Sequence, residues 1–199
     1  MKRFLLVLMT AIIFLTNCND NKSNKSVVAT KANEKDKITT EPGHSEKPGN
    51  DPEKQITELE KLTPLTLDQL KGMIPESLLG ARRINEEANY SMGAALVHGT
   101  YELNDSTRIK LFIYDCAGSA GAGIYRMQFL GMNSLQHESK DKYIRSIDFN
   151  NGQAFEQCDK VTNDCSLIYF AGGRFMVTLE AEYLGAEALK QAARGLNIK

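Results

Sequence analysis

Hydrophobic and polar positions divide the chain into three regimes. Phe4 to Leu15 is a largely apolar run of twelve residues behind Lys2 and Arg3. From Asn19 to Lys61 large aliphatic residues are sparse: Val27, Val28, Ile38, Ile56 and Leu59. Only beyond residue 62 do apolar positions recur with the periods of helices and strands.

Thr66-Leu-Asp-Gln69 has the form of a capping box and predicts a short helix, ending by Gly72 or before Pro75. A strand follows over Ala81–Glu86. Ala94–Leu103 and Thr107–Asp115 predict a hairpin turning at Asn104-Asp105-Ser106, with Ile109, Leu111 and Ile113 alternating against Arg108, Lys110 and Phe112. A helix is expected from Gly118 or Gly121 to Met132, with Ile124, Met127 and Leu130 on one stripe and Tyr125 and Phe129 beside it. Strands are then expected over Tyr143–Phe149, Gln153–Asp159, Cys165–Ala171 and Arg174–Glu180. Asn150-Asn151-Gly152 and Gly172-Gly173 supply residues that tolerate the positive φ of tight turns. A last helix runs from about Gly185 to Gly195, with Ala186, Leu189, Ala193 and Leu196 inward.

Short hairpin connections favour antiparallel pairing. The expected fold is therefore α+β, a mostly antiparallel sheet of six or seven strands packed with two or three helices. Thirteen of the fifteen Phe and Tyr residues lie between Tyr90 and Tyr183, which places the core in residues 62–199. These 138 residues are a common size for one domain.

Residues 19–61 carry eight Lys, nine Asp or Glu and three of the five prolines, with no aromatic residue. Such a stretch buries too little apolar surface to offset the entropy of ordering it. It is expected to be a disordered tether with a root-mean-square span of roughly 35 Å and an extended reach of about 145 Å. Gln55 to Lys61 is where a helix can begin.

The apolar run at the start is too short to span a bilayer, which takes about 20 residues, and suits a secretory signal. It ends at Leu15-Thr16-Asn17-Cys18. Residues 1–18 resemble the signal of a Gram-negative bacterial lipoprotein. The resemblance implies cleavage before Cys18, acylation of Cys18 by diacylglycerol and a further fatty acid such as palmitate, and anchoring in a membrane of the cell envelope. The protein would then face the periplasm or the cell surface. Two or three acyl chains anchor stably at about 0.8 kcal/mol per buried methylene.

Charge narrows the partners. The 24 basic and 25 acidic residues give a net charge of -1, so the chain is no polycation built for nucleic acid. Its mean hydropathy of -0.35 excludes a multispan membrane protein.

Four cysteines carry the first candidate chemistry. With Cys18 lipidated, Cys158 and Cys165 flank a short connection between two paired strands, and a disulfide between them is expected in an oxidising compartment. Two reduced thiols are the alternative; zinc is disfavoured because no Cys-x-x-Cys pair or nearby His is present. Cys116 precedes Gly118-Ser119-Ala120-Gly121-Ala122-Gly123. A helix starting there would lower its thiol pKa, and His98 or His137 would be the base of a thiol enzyme. Against that stands Cys116 as a small buried hydrophobe. The glycine stretch lacks both the dinucleotide and the phosphate-loop fingerprints, because Arg126 breaks the first and no Gly-Lys-Ser/Thr exists.

No H-E-x-x-H or carboxylate cluster appears, so no metal and no cofactor are expected. Glu86-Glu87 and Arg82-Arg83 read as solvated pairs. Aromatics on both strand faces near Tyr101, Phe112 and Tyr114 predict a sheet covered by helices on one side and partly occupied on the other. The Pro75-Glu-Ser-Leu-Leu-Gly80 lead-in, the step from Tyr114 to Gly123 and the strand from Arg174 to Val177 resemble small periplasmic lipoprotein domains of α+β type. That resemblance implies no activity and no catalytic residue. The expected function is a non-catalytic domain that binds an envelope protein, a glycan or a small ligand. The alternatives are a thiol enzyme centred on Cys116 and a carrier of an apolar ligand.

Overall fold

The computed structural model describes residues 51–198. The signal, Cys18 and residues 19–50 of the polar stretch lie outside the described residues.

Asp51 caps the first helix, α1 (Pro52–Lys61), by accepting from the backbone N–H of Glu53 at 3.0 Å. Pro52 at the first turn lacks only an N–H that would have no helical partner. Ile56 and Leu59, three apart, share one face and are both buried. The expectation of a solvated stretch running to Lys61 is corrected here: two aliphatic residues suffice for docking when a folded surface supplies the other side. The capping box forms as read. In α2 (Leu67–Lys71) Thr66 Oγ1 accepts from Gln69 N at 3.2 Å, and Gln69 Oε1 accepts from Thr66 N at 2.9 Å.

Among the described residues the sheet has nine strands, more than the six or seven expected, and four α-helices accompany it. The strands are β1 (Ser77–Leu78), β2 (Ala81–Ser91), β3 (Ala94–Asn104), β4 (Thr107–Asp115), β5 (His137–Glu138), β6 (Lys142–Phe149), β7 (Gly152–Asp159), β8 (Cys165–Ala171) and β9 (Phe175–Ala181). The unforeseen strands, β1 and β5, are two residues long and lie at the two edges. Short edge strands limit pairing with other chains. Spatial order is β1-β2-β3-β4-β9-β8-β7-β6-β5, antiparallel throughout. Two meanders therefore meet at a single seam, where β4 pairs with β9 from Ile109↔Ala181 to Asp115↔Phe175.

Between the meanders runs α3 (Gly118–Ile124), followed by a π-helical turn (Tyr125–Phe129) and a 3₁₀ turn (Leu130–Ser134). The wider π turn changes the helical phase. Tyr125 and Phe129 are buried, while Met127, expected on the inner stripe, is 55% exposed. The final helix is α4 (Ala186–Arg194), with Gly185 and Gly195 at its ends and Leu189, Ala192 and Ala193 buried.

Strand alternation gives the sheet two different faces. One carries Val97, Ile113, Val177 and Tyr169 in a single cross-strand row and lies under residues of α2 and α4. The other is covered only in part. There Ala94, Met176, Phe155 and Cys116 pack against α1, α3 and the π turn. Helix and sheet approach closely at Gly121, where a Cβ atom would lie 2.3 Å from the carbonyl carbon of Cys116. Among the described residues no helix is long and apolar enough to cross a membrane.

Candidate functional site

The uncovered half of the second face is the candidate site. Cross-strand register aligns Thr100, Lys110, Glu180, Ser166, Gln157 and Ile144 in one row. An antiparallel sheet with one packed and one solvated face alternates in this way. Lys110, Glu180, Ser166 and Gln157 of this row border a groove of about 520 Å³, with Arg108, Thr178, Asp164 and Glu182 also in its wall. Lys110 stands directly opposite Glu180, and Ser166 opposite Glu180 on the other side. Arg108 is drawn toward Glu102, Nη2 to Oε1 at 3.4 Å. Ile168 contributes an apolar spot to the lining. The next row places Phe112 between His98 and Thr178, and the His98 and Phe112 rings are 5.6 Å apart. The groove thus offers two cationic donors, three carboxylates, two hydroxyls and an amide, which suits hydrogen bonding to a polar ligand.

Cys116 lies elsewhere. It is fully buried in the second core, and its Sγ has Tyr114 O as partner at 4.0 Å. Burial, reinforced by the negative charge of Asp115, pushes its thiol up to about 12. An activated nucleophile requires the opposite shift. His98 is level with Phe112 in register, four residues before Cys116 and roughly 13 Å along the strand. His137 belongs to edge strand β5, six strand spacings or roughly 29 Å from His98. The alternative thiol–histidine grouping is not assembled, and Cys116 is a buried core side chain.

Cys158 and Cys165 are register partners across β7 and β8, and their sulfurs are 2.06 Å apart. The pairing expected from their spacing is the one the structure contains. No group of three or more His, Cys, Asp and Glu with metal-holding geometry occurs among the described residues. Glu86 is held by Arg83 at 2.8 Å, and Arg83 also donates to Ile74 O at 2.9 Å. Glu87 accepts from Asn89 Nδ2 at 3.2 Å, and its Oε2 is 3.8 Å from His98 Nε2. Arg83 is thus committed to Glu86 and to the Ile74 carbonyl. Tyr101 is buried on the covered face and donates to Pro75 O at 2.8 Å.

Two buried carboxylates had no sequence signal. Asp115 accepts from Arg174 Nε and Nη2, from Leu65 N at 2.7 Å and from Ala117 N at 3.1 Å. Burial alone would raise its pKa; the hydrogen bonds from Arg174 and the two amides outweigh that and hold it below the usual carboxylate range. Glu156, fully buried in β7, meets Tyr143 Oη at 2.5 Å, Arg145 Nη2 at 2.6 Å and Lys190 Nζ at 2.9 Å. Burial again opposes ionisation, and hydrogen bonds from Tyr143, Lys190 and Arg145 prevail and hold the carboxyl low. The signal missed was register: Arg145 pairs with Glu156, and Tyr143 with Cys158. Both clusters tie elements together, Asp115 joining the α1–α2 connection to the sheet and Glu156 joining the sheet to α4.

No family model, no curated protein and no solved structure matches this chain.

Proposed function

We propose that this chain is a lipid-anchored cell-envelope protein presenting a non-catalytic binding domain whose open sheet face receives a polar ligand. The observation that carries the binding reading is the row Thr100, Lys110, Glu180, Ser166 and Gln157, a contiguous hydrogen-bonding surface on a face that is covered only in part, by α1, α3 and the π turn. The ligand class is a glycan, a small polar molecule or the polar surface of another envelope protein. Burial of Cys116 speaks against the thiol enzyme. A carrier of apolar molecules would want an apolar cavity, whereas this groove is walled by charge and hydroxyl groups.

Anchoring rests on the residues before the domain: Lys2 and Arg3, the apolar run and Cys18. Polar residues 19–50 would then hold the domain away from the bilayer, facing the periplasm or the cell surface.

Site-specific photocrosslinking in cells tests the binding reading. A crosslinker at Ser166 or Gln157 is expected to capture one discrete partner that the same group at Glu187 does not. Equal capture from both positions removes the groove from the proposal. Incorporation of labelled fatty acid tests the anchor: Cys18→Ser is expected to abolish it, and undiminished label defeats that part.

A further inference from the structure

Lys110 and Glu180 are register partners on neighbouring strands, yet they form no ion pair. Among the described residues no hydrogen bond or ion pair uses the side chains of Lys110, Glu180, Ser166 or Gln157. Elsewhere on the sheet such cross-strand charges are taken: Lys142 holds its register partner Asp159 at 3.2 Å, and Arg145 holds Glu156 at 2.6 Å. Across β4, β9, β8 and β7 the row therefore presents a cationic donor, an acceptor, a hydroxyl and an amide, all uncommitted. Strands lie about 4.8 Å apart, so the row is about 14 Å long.

The wall sets Arg108 and Lys110 against Asp164, Glu180 and Glu182, which gives no strong field of one sign for a polyanion or a polycation. Interleaved donors and acceptors suit a ligand whose groups both donate and accept, as hydroxyls do. A chain of pyranose rings supplies hydroxyls at a repeat close to the strand spacing. Ile168, one row along from Ser166, adds an apolar spot for the C–H groups of a ring. On the flank of the groove, where β9 ends, Tyr183 follows Glu182 and is 61% exposed. Its φ is 57°, a left-handed conformation that bulky residues rarely adopt. Asp164 of the groove wall secures it by accepting from Tyr183 N at 2.9 Å. Strain held in place in this way is characteristic of ligand clamps.

We propose that the groove binds an extended, uncharged oligosaccharide of about three rings, laid across β4, β9, β8 and β7 and flanked by the ring of Tyr183. The proposal rests on the binding reading of the same groove and narrows its ligand. Sugar hydroxyls donate to Glu180 and accept from Lys110, Ser166 and Gln157 do both, and the Tyr183 phenol packs on the C–H face of a ring.

Backbone amide shifts of the full chain, titrated with uncharged trisaccharides of glucose, galactose, mannose and N-acetylglucosamine, test this. At least one sugar is expected to bind saturably and to move the amides of Gln157, Ser166 and Glu180, while Val97, Ile113 and Val177 of the covered face stay in place. Glu180→Ala, at an exposed position, is expected to weaken that binding at least about tenfold, because a hydrogen bond to a charged group is lost. Tyr183→Ala is expected to weaken it and Tyr183→Phe to keep it; wild-type affinity in Tyr183→Ala removes the stacking platform. No saturable shift with any of the four sugars, or shifts confined to other surfaces, overturns the proposal. If the sugars fail while a crosslinker at Ser166 still captures a discrete protein, the binding groove stands and its sugar ligand falls. If both fail, both readings fall.

Discussion

Arg174 grips Asp115 with two parallel hydrogen bonds, Nε to Oδ1 at 2.8 Å and Nη2 to Oδ2 at 2.9 Å. The same guanidinium donates to Thr63 O at 2.8 Å. One buried ion pair therefore fixes the end of β4, the start of β9 and the chain entering α2. Removing one member of such a pair leaves a buried charge alone, at a cost of about 3–5 kcal/mol. Arg174→Met is expected to lower the unfolding free energy by that amount in urea titration. A loss below about 1 kcal/mol, the range of an exposed pair, would show that the clamp contributes little.

Stability should fall in acid. Asp115 and Glu156 have depressed folded-state pKa values, whereas the unfolded carboxyls titrate near pH 4. Their stabilisation is fully present above that range and is lost as pH falls through it toward the folded values. Urea midpoints are expected to be flat from about pH 7 to pH 5.5 and to drop below about pH 4. Glu156→Gln should make the acid limb shallower; an unchanged slope would assign the titration to other carboxylates.

The alkaline limb has the opposite origin. Burial raises Tyr101, Tyr125 and Tyr143 to about 12. Unfolded tyrosine titrates near 10, so this stabilisation is present below pH 10 and is lost as pH rises toward 12. Tyrosinate absorbance at 295 nm is expected to rise in step with unfolding; full ionisation of a still-folded chain near pH 10 would contradict it.

Two glycines of α3 should respond oppositely to alanine. At Gly121 a new Cβ would meet Asp115 O at 2.6 Å and Cys116 backbone atoms closer still, so Gly121→Ala should cost more than about 2 kcal/mol through backbone displacement. At Gly123 nothing lies within 4 Å, and Gly123→Ala should stabilise by about 0.5–1 kcal/mol through helix propensity. Thermal melts of the two variants give the comparison, and shifts of the same sign would refute it.

Thiol counting addresses the remaining cysteines. In a Cys18→Ser chain, native unreduced protein should show no rapidly labelled thiol. Unfolding without reductant should reveal Cys116 alone, and unfolding with reductant should reveal three thiols in all. Rapid native labelling of Cys116 would reopen the nucleophile.

Local features were legible in the sequence. Asn150 and Asn151 adopt φ of 50° and 63°, and Gly172 and Gly173 of 59° and 64°, as hairpin turns of those residues should. The Thr66–Gln69 box and the Cys158–Cys165 pairing also follow from spacing. By contrast, β2 runs on to Ser91 because the chain turns at Met92-Gly93, with Met92 at φ 52°. A methionine carries no turn signal, so a strand read as ending at Glu86 extends past it. Glu156 occupies what looks like an ordinary alternating position between Phe155 and Gln157. Only tertiary packing brings Lys190 of α4 to it, and propensity is blind to that. The open groove is equally non-local: its row draws on strands from both meanders, and no single stretch contains it.

The seam between β4 and β9 has a consequence for the order of events during folding. Each meander closes through hairpins of neighbouring strands, which form quickly because their contacts are local. The seam cannot form until a strand some 60 residues further along has been made and has returned. Until then β4 presents Ile109, Leu111 and Ile113, all fully buried in the finished sheet, on a bare edge. The first meander is therefore a sticky, half-built sheet for as long as the second is missing. Contact order therefore predicts that closure of the seam is the slow step, with aggregation during that interval the expected hazard.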